Sequence, residues 1–75
     1  MEKISIIGSG VVGTIIGEGF FRVGFPVIFY DIDEKKINAL KEKGYDGTVN
    51  LEEAIFNSDI SFICVPTPLS DDRSP

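Results

Sequence analysis

The sequence predicts an α/β unit in which about four parallel strands, in the order 3-2-1-4, lie between two helical layers. Three observations point there. Short apolar, β-prone runs of four to six residues alternate with stretches of helical period. The connections are short, and such alternation implies a parallel sheet with crossover helices. A glycine-rich turn joins the first strand to the first helix, and right-handed crossovers then set the strand order.

Ile4 to Ile7 is the first run, and its β-branching and length favour a buried strand. Gly8-Ser9-Gly10-Val11-Val12-Gly13 follows it. Val11, Val12, Ile15, Ile16, Phe20 and Val23 recur at helical spacing, Gly24 stands where a C′ glycine ends a helix, and Pro26 blocks continuation. Val27 to Tyr30 is the second strand and stops at Asp31. Asp33 is placed to cap a second helix, about 34 to 43, with Ile37 and Leu40 inward and Gly44 at its end. Thr48-Val49 forms a very short third strand. Asn50 with Glu53 resembles a capping box for a short helix through Leu51, Ala54 and Ile55. Ile60 to Val65 is the fourth strand, buried on both faces by its composition and ended by Pro66 and Pro68. The aromatics Phe20, Phe21, Phe25, Phe29, Phe56 and Phe62 are mostly core candidates, and any exposed one marks a missing partner surface.

With 75 residues, folding buries about 60% of the unfolded chain's surface, enough for one small core and not for two domains. Seven basic and twelve acidic side chains give a formal charge of -5. Lys35, Lys36, Lys41 and Lys43 are interleaved with Asp33, Glu34 and Glu42, so no basic stripe forms and nucleic acid is not an expected partner. One Cys and no His allow neither an internal disulfide nor a zinc site. Cys64, mid-strand and without a His to activate it, reads as a small core hydrophobe. A reducing cytoplasm is the expected location. Glycines at 8, 10, 13 and 17 interrupt the N-terminal apolar run, which argues against a signal peptide, and no stretch approaches the ~20 apolar residues of a bilayer span.

The chemistry lies in the glycine turn. G-x-G-x-x-G is weak alone, but here a strand precedes it, a helix follows it, and an acid ends the next strand. Gly8 allows the sharp turn, Gly10 leaves room for a pyrophosphate against the backbone, and Gly13 allows close helix–sheet packing. The helix N-terminus supplies free N–H groups and the positive end of its dipole. Asp31 is placed to accept from the adenosine ribose hydroxyls and repels a 2′-phosphate, so NAD is preferred over NADP. Lys36 reaches the same ribose. Gly17 lies on the face of Gly13, so packing alone is a competing explanation for the glycines.

The segments ISIIGSGVVGTIIGEGF, VIFYDIDEKKI and DISFICVPTPLSDDRSP resemble the N-terminal NAD-binding domain of the UDP-glucose/GDP-mannose dehydrogenase family. The most specific piece is Val65-Pro66-Thr67-Pro68-Leu69. The resemblance implies a Rossmann-like half unit over residues 1–68, with 69–75 a polar tail. It implies cofactor contacts from Gly8, Ser9, Gly10, Val11, Val12, Gly13, Asp31, Lys36, Val65, Pro66 and Thr67, with Thr67 at the switch point between strands one and four. It further implies oxidation of a nucleotide sugar's C6 alcohol to a carboxylate in two hydride transfers to NAD. The family's catalytic residues have no match here. The chain is therefore expected to be a truncated piece, inactive alone, meeting the nucleotide sugar only in a complete enzyme and self-associating through the free edge of its last strand. Two departures stand out: the family's extra segment is missing between Gly44 and Thr48, and Asp72-Arg73 replaces its Asp-Gly. Two alternatives remain, a β-hydroxyacid-type NAD dehydrogenase fragment and a non-enzymatic NAD-sensing module.

Overall fold

In the computed structural model, which describes residues 2–64, the chain alternates strand and helix from end to end. The elements are β1 (Ile4–Ile7), α1 (Val11–Arg22), β2 (Val27–Tyr30), α2 (Glu34–Glu42), β3 (Asp46–Thr48), α3 (Leu51–Phe56) and β4 (Ile60–Ile63). All pairings are parallel and the sheet order is β3-β2-β1-β4. This is the expected Rossmann-like half unit.

Alternation along the strands divides the side chains between two faces. Ile4, Ile6, Val27 and Phe29 share one face, where they form the core with Ile37 and Leu40 of α2, all six being almost fully buried. Burying such a side chain contributes roughly 1.5–3 kcal/mol. Ser5 lies on the opposite face under α3, fully buried, with its hydroxyl 2.7 Å from that of Ser61 and accepting from Ser58 at 2.9 Å. A serine in the middle of a buried strand is thus satisfied by two others, which avoids the cost of an orphaned hydroxyl. Ala54, also fully buried, is the residue with which α3 meets the sheet.

Helix α1 turns to the sheet the face that Gly13 and Gly17 share. Val11, Val12, Ile15 and Val23 are exposed, and the residues buried against the sheet are Gly13 and Gly17. Apolar spacing alone does not reveal which stripe lies inward; the two small residues do, because they let the helix axis come close. Ile16 and Phe20 pack beside them on the core. Helix α2 begins at Asp33, whose side chain accepts from the N–H of Lys35 at 3.0 Å, and ends as expected within one residue. Gly24 and Gly44 follow the two C-caps at φ 102° and 95°, a region costly for residues with a Cβ.

Other expectations shift. The third strand covers Asp46–Thr48, not Thr48-Val49; Val49 lies past its end and is exposed. The Asn50 cap accepts from the N–H of Glu53, but Glu53 does not return to the N–H of Asn50. The Thr48 hydroxyl intervenes, accepting from that N–H at 3.0 Å and donating to the Glu53 carboxylate. The fourth strand is not buried on both faces: Ile60 and Ile63 are exposed and only Phe62 packs on the core. Among the described residues β4 has a neighbour on one side only, and an edge strand of any composition stays open. Of the phenylalanines, Phe29 is fully buried and Phe20, Phe25 and Phe62 are packed against the core, but Phe21 and Phe56 are exposed, Phe56 at 86%. Cys64 is half-buried beside the core, its N–H donating to the carbonyl of Ile7 at 2.7 Å. The prolyl loop and the tail lie outside the described residues.

Candidate functional site

The glycine turn leaves β1 at its carboxyl end. Gly8 has φ 102°, which only glycine adopts readily, and its N–H donates to the Tyr30 carbonyl at 2.9 Å. Ser9 is buried with every polar atom engaged. Its N–H donates to Oδ2 of Asp31 at 3.0 Å, its hydroxyl donates to the Tyr30 carbonyl at 3.0 Å, and its carbonyl accepts from the Thr14 hydroxyl at 3.2 Å. Glycine turn, strand β2 and helix α1 are therefore tied at one residue.

The three glycines of the motif answer to different constraints. A Cβ on Gly13 would lie 2.1 Å from the Gly8 carbonyl oxygen, so the turn and helix cannot close around any larger residue. A Cβ on Gly10 would meet no atom within 4 Å among the described residues. Among the described residues nothing in the packing asks for glycine there, and its φ of -75° suits any residue. The open ground above Gly10 is the room a ligand needs.

That ground faces the start of α1. Gly10 is the N-cap, without a side-chain hydrogen bond to the helix and with no acid in the first turn. The first helical bond runs from the Thr14 N–H to the Gly10 carbonyl at 2.9 Å. The N–H groups of Val11, Val12 and Gly13 thus have no partner among the described residues. Three free donors at the positive end of a helix of 12 residues suit a phosphate.

An open depression of about 480 Å³ continues from the turn, lined by Ser9, Gly10, Val11, Thr14, Ile15 and Lys36. Thr14 and Ile15 were not singled out from the sequence. The i, i+4 step from Gly10 to Thr14 was the available signal. Next to Ser9, Oδ1 of Asp31 accepts from the N–H of Asp33 at 2.9 Å while Oδ2 holds Ser9, and each oxygen keeps acceptor capacity for a further donor. Partial burial works against the charged carboxylate, but the N–H groups of Asp33 and Ser9, the Lys36 ammonium and the N–H of Ile32 together hold Asp31 below its ordinary value. The carboxylate is an anchored anion, aimed before any ligand arrives.

The structure thus brings Gly8, Ser9, Gly10, Val11, Val12, Gly13, Asp31 and Lys36 to one end of the sheet, beyond the carboxyl ends of the central strands β1 and β2. Val65, Pro66 and Thr67 lie outside the described residues. Among those described, no group of His, Cys, Asp and Glu could hold a metal ion, and no helix is long and apolar enough to cross a membrane.

Residues 2–46 match the model of the UDP-glucose/GDP-mannose dehydrogenase family, NAD binding domain. The match stops where β3 begins. UDP-glucose 6-dehydrogenase TuaD of Bacillus subtilis is 37% identical over 93% of this chain and 20% of its own length. That alignment has 90 positions against a chain of 75, so at least 15 positions have no counterpart here. A second Bacillus subtilis relative, the putative 6-phosphogluconate dehydrogenase YqeC, is 40% identical over 53 residues, which are 71% of this chain and 18% of that protein. Over that span it carries no extra residues. Among solved structures, a UDP-glucose dehydrogenase from the archaeon Pyrobaculum islandicum superposes with a TM-score of 0.74 at 25% identity, covering 91% of this chain and 21% of that one. The chain spans about a fifth of the length of these proteins.

Proposed function

The chain belongs to the UDP-glucose/GDP-mannose dehydrogenase family, within its NAD binding domain, and from that premise we propose that it is the cofactor-holding module of a nucleotide-sugar dehydrogenase. The observation that carries this is the space, clear of the described residues, that a Cβ at Gly10 would enter, set between the uncapped start of α1 and the anchored Asp31 carboxylate. A dinucleotide fits both ends: pyrophosphate over Gly8 to Gly13, adenosine ribose at Asp31 and Lys36. Val65, Pro66 and Thr67 complete the proposed cofactor contacts, in a unit of residues 1–68 with 69–75 as a polar tail.

The nicotinamide, when bound, accepts the hydride from the sugar's C6 carbon; this chain binds and orients. The free N–H groups of Val11, Val12 and Gly13 neutralise phosphate charge. Asp31 accepts from the ribose hydroxyls and selects against a 2′-phosphate. On this reading the chain alone turns over no substrate, and it works in the cytoplasm. Titration calorimetry with NAD, NADP and ADP-ribose tests the proposal. Binding of NAD and ADP-ribose with weaker NADP supports it, and no heat from any of the three overturns it.

We also propose that copies of the chain associate through β4. Its outer edge carries Ile60, Ser61, Phe62 and Ile63 without a charge, and Ile63 is 76% exposed. A monomer by size-exclusion chromatography at every concentration contradicts this.

One observation favours a second reading. The missing segment separates the chain from TuaD, and YqeC matches without extra residues. On that reading the module serves a β-hydroxyacid-type dehydrogenase. Assays of the enzyme that carries the module, with UDP-glucose and with 6-phosphogluconate, separate the two by which substrate yields NADH.

A further inference from the structure

Thr14 stands one helical turn after Gly10, half-buried, in the lining of the depression. It holds both carbonyls of the turn. Its N–H donates to the Gly10 carbonyl at 2.9 Å, and its hydroxyl donates to the Ser9 carbonyl at 3.2 Å. The first bond is the ordinary start of a helix. The second is a side-chain bond that a helix does not need. It is the one hydrogen bond that the Ser9 carbonyl receives among the described residues.

The Ser9–Gly10 peptide is planar and trans, so its C=O and N–H point in opposite directions. A carbonyl drawn to Thr14 therefore sends the Gly10 N–H the other way. That N–H has no partner among the described residues, and it adjoins the free N–H groups of Val11, Val12 and Gly13. Without the Thr14 hydroxyl the plane has an alternative. Turning it over changes φ of Gly10 and leaves the Ser9 N–H on Asp31 and the Ser9 hydroxyl on Tyr30. Gly10, at φ -75°, reaches positive φ at low cost because it has no Cβ. An orphaned carbonyl in a buried residue favours that turn, since it regains water. The turned plane presents an oxygen where the native one presents an N–H, and a phosphate is repelled by the first and attracted by the second. The missing side chain that leaves room for a ligand thus also loosens the peptide beneath it.

We propose that Thr14 is a positioning residue for the glycine turn: its hydroxyl latches the Ser9–Gly10 peptide so that an N–H, and not the Ser9 carbonyl oxygen, faces the phosphate over Gly8 to Gly13. The inference rests on the dinucleotide reading above.

The test is calorimetric titration of the 75-residue chain with ADP-ribose and NAD, for the native protein, Thr14→Val, Thr14→Ala and Thr14→Ser. A thermal melt of each checks folding, and nitrogen-15 NMR follows the Gly10 amide at saturating ADP-ribose. Valine keeps the shape of threonine and removes the hydroxyl; serine keeps the hydroxyl. We expect Thr14→Val and Thr14→Ala to stay folded and to lose at least about tenfold in affinity for both ligands, with Thr14→Ser within about twofold of native. The Gly10 amide resonance should shift on ligand addition in the native chain and in Thr14→Ser, and not in Thr14→Val. A folded Thr14→Val protein that binds ADP-ribose as tightly as the native chain overturns the latch and leaves the dinucleotide reading intact. A loss that serine does not restore, or a Gly10 amide that responds alike in native and valine proteins, does the same. Unfolding of both Thr14→Val and Thr14→Ala also overturns it, because the bond then supports the fold and not the turn's aim. A native chain that binds neither ligand overturns the dinucleotide reading and this inference with it.

Discussion

The main-chain N–H of Ser9 donates to Oδ2 of Asp31 at 3.0 Å, across 22 residues of sequence. The glycine turn and the acid at the end of β2 are thus one structural unit. Through it the start of α1 and the carboxyl end of β2 are held at a set separation.

The pH behaviour of Asp31 follows from that bond. The folded protein holds this carboxyl below its ordinary value of 3.8: burial opposes the charge, and the N–H groups of Asp33 and Ser9 with Lys36 outweigh it. A lowered folded-state value means stability that is present above the unfolded value and lost as pH falls through the folded one. The stability gap between the native chain and Asp31→Asn should therefore be constant near neutrality and narrow as pH drops below 3.8. Denaturant melts across that range, with a carbon-13 titration of the Asp31 carboxyl, check it. A gap that widens toward acid contradicts the assignment.

Gly17 and Gly19 lie two residues apart on α1 and should respond with opposite sign. A Cβ at Gly17 would lie 2.3 Å from the Phe29 ring, and Phe29 is fully buried. Gly17→Ala should cost roughly 1–3 kcal/mol through overpacking. At Gly19 nothing among the described residues lies within 4 Å of an added Cβ. Gly19→Ala should stabilise by up to about 1 kcal/mol through helix propensity. In a domain of this size ~1 kcal/mol moves Tm by about 4–8 °C, so thermal melts resolve the two signs.

Thr48, Asn50 and Glu53 act as one cap on α3. Asn50→Ala should cost about 1 kcal/mol. Thr48→Val leaves both the Asn50 N–H and the Glu53 carboxylate without their partner. The two changes share partners, so the double variant should be less destabilised than the sum of the singles. Denaturation midpoints of the three variants decide it, and strict additivity counts against a joined cap.

Much of this was legible in the sequence, for local reasons. Strand order follows from alternation and crossover handedness, and the caps at Asp33 and Gly24 are short-range chemistry. The i, i+4 spacing of Gly13 and Gly17 announced a close helix–sheet approach. What was illegible depends on neighbours. Val11, Val12 and Ile15 have the same composition whether they face a sheet or solvent, so their exposure had no local signal. Ile60 and Ile63 read as a central strand because residue type does not record how many strands stand beside it. The Thr48 bridge to Glu53 was hidden because a hydroxyl two residues before a helix cap has no fixed pattern. In the site, spacing announced Gly10 and Asp31. The anchoring of Asp31 by Ser9 needed three dimensions, since 22 residues separate them.

The claim beneath the whole account is that Gly10 is glycine for a ligand's sake. Calorimetric titration of Gly10→Val with NAD, beside a thermal melt, tests it most directly. Among the described residues no atom lies within 4 Å of the added Cβ, so the fold should survive at a cost of no more than about 1 kcal/mol at the N-cap. NAD affinity should fall by at least about tenfold. A folded Gly10→Val protein that binds NAD as tightly as the native chain contradicts the account.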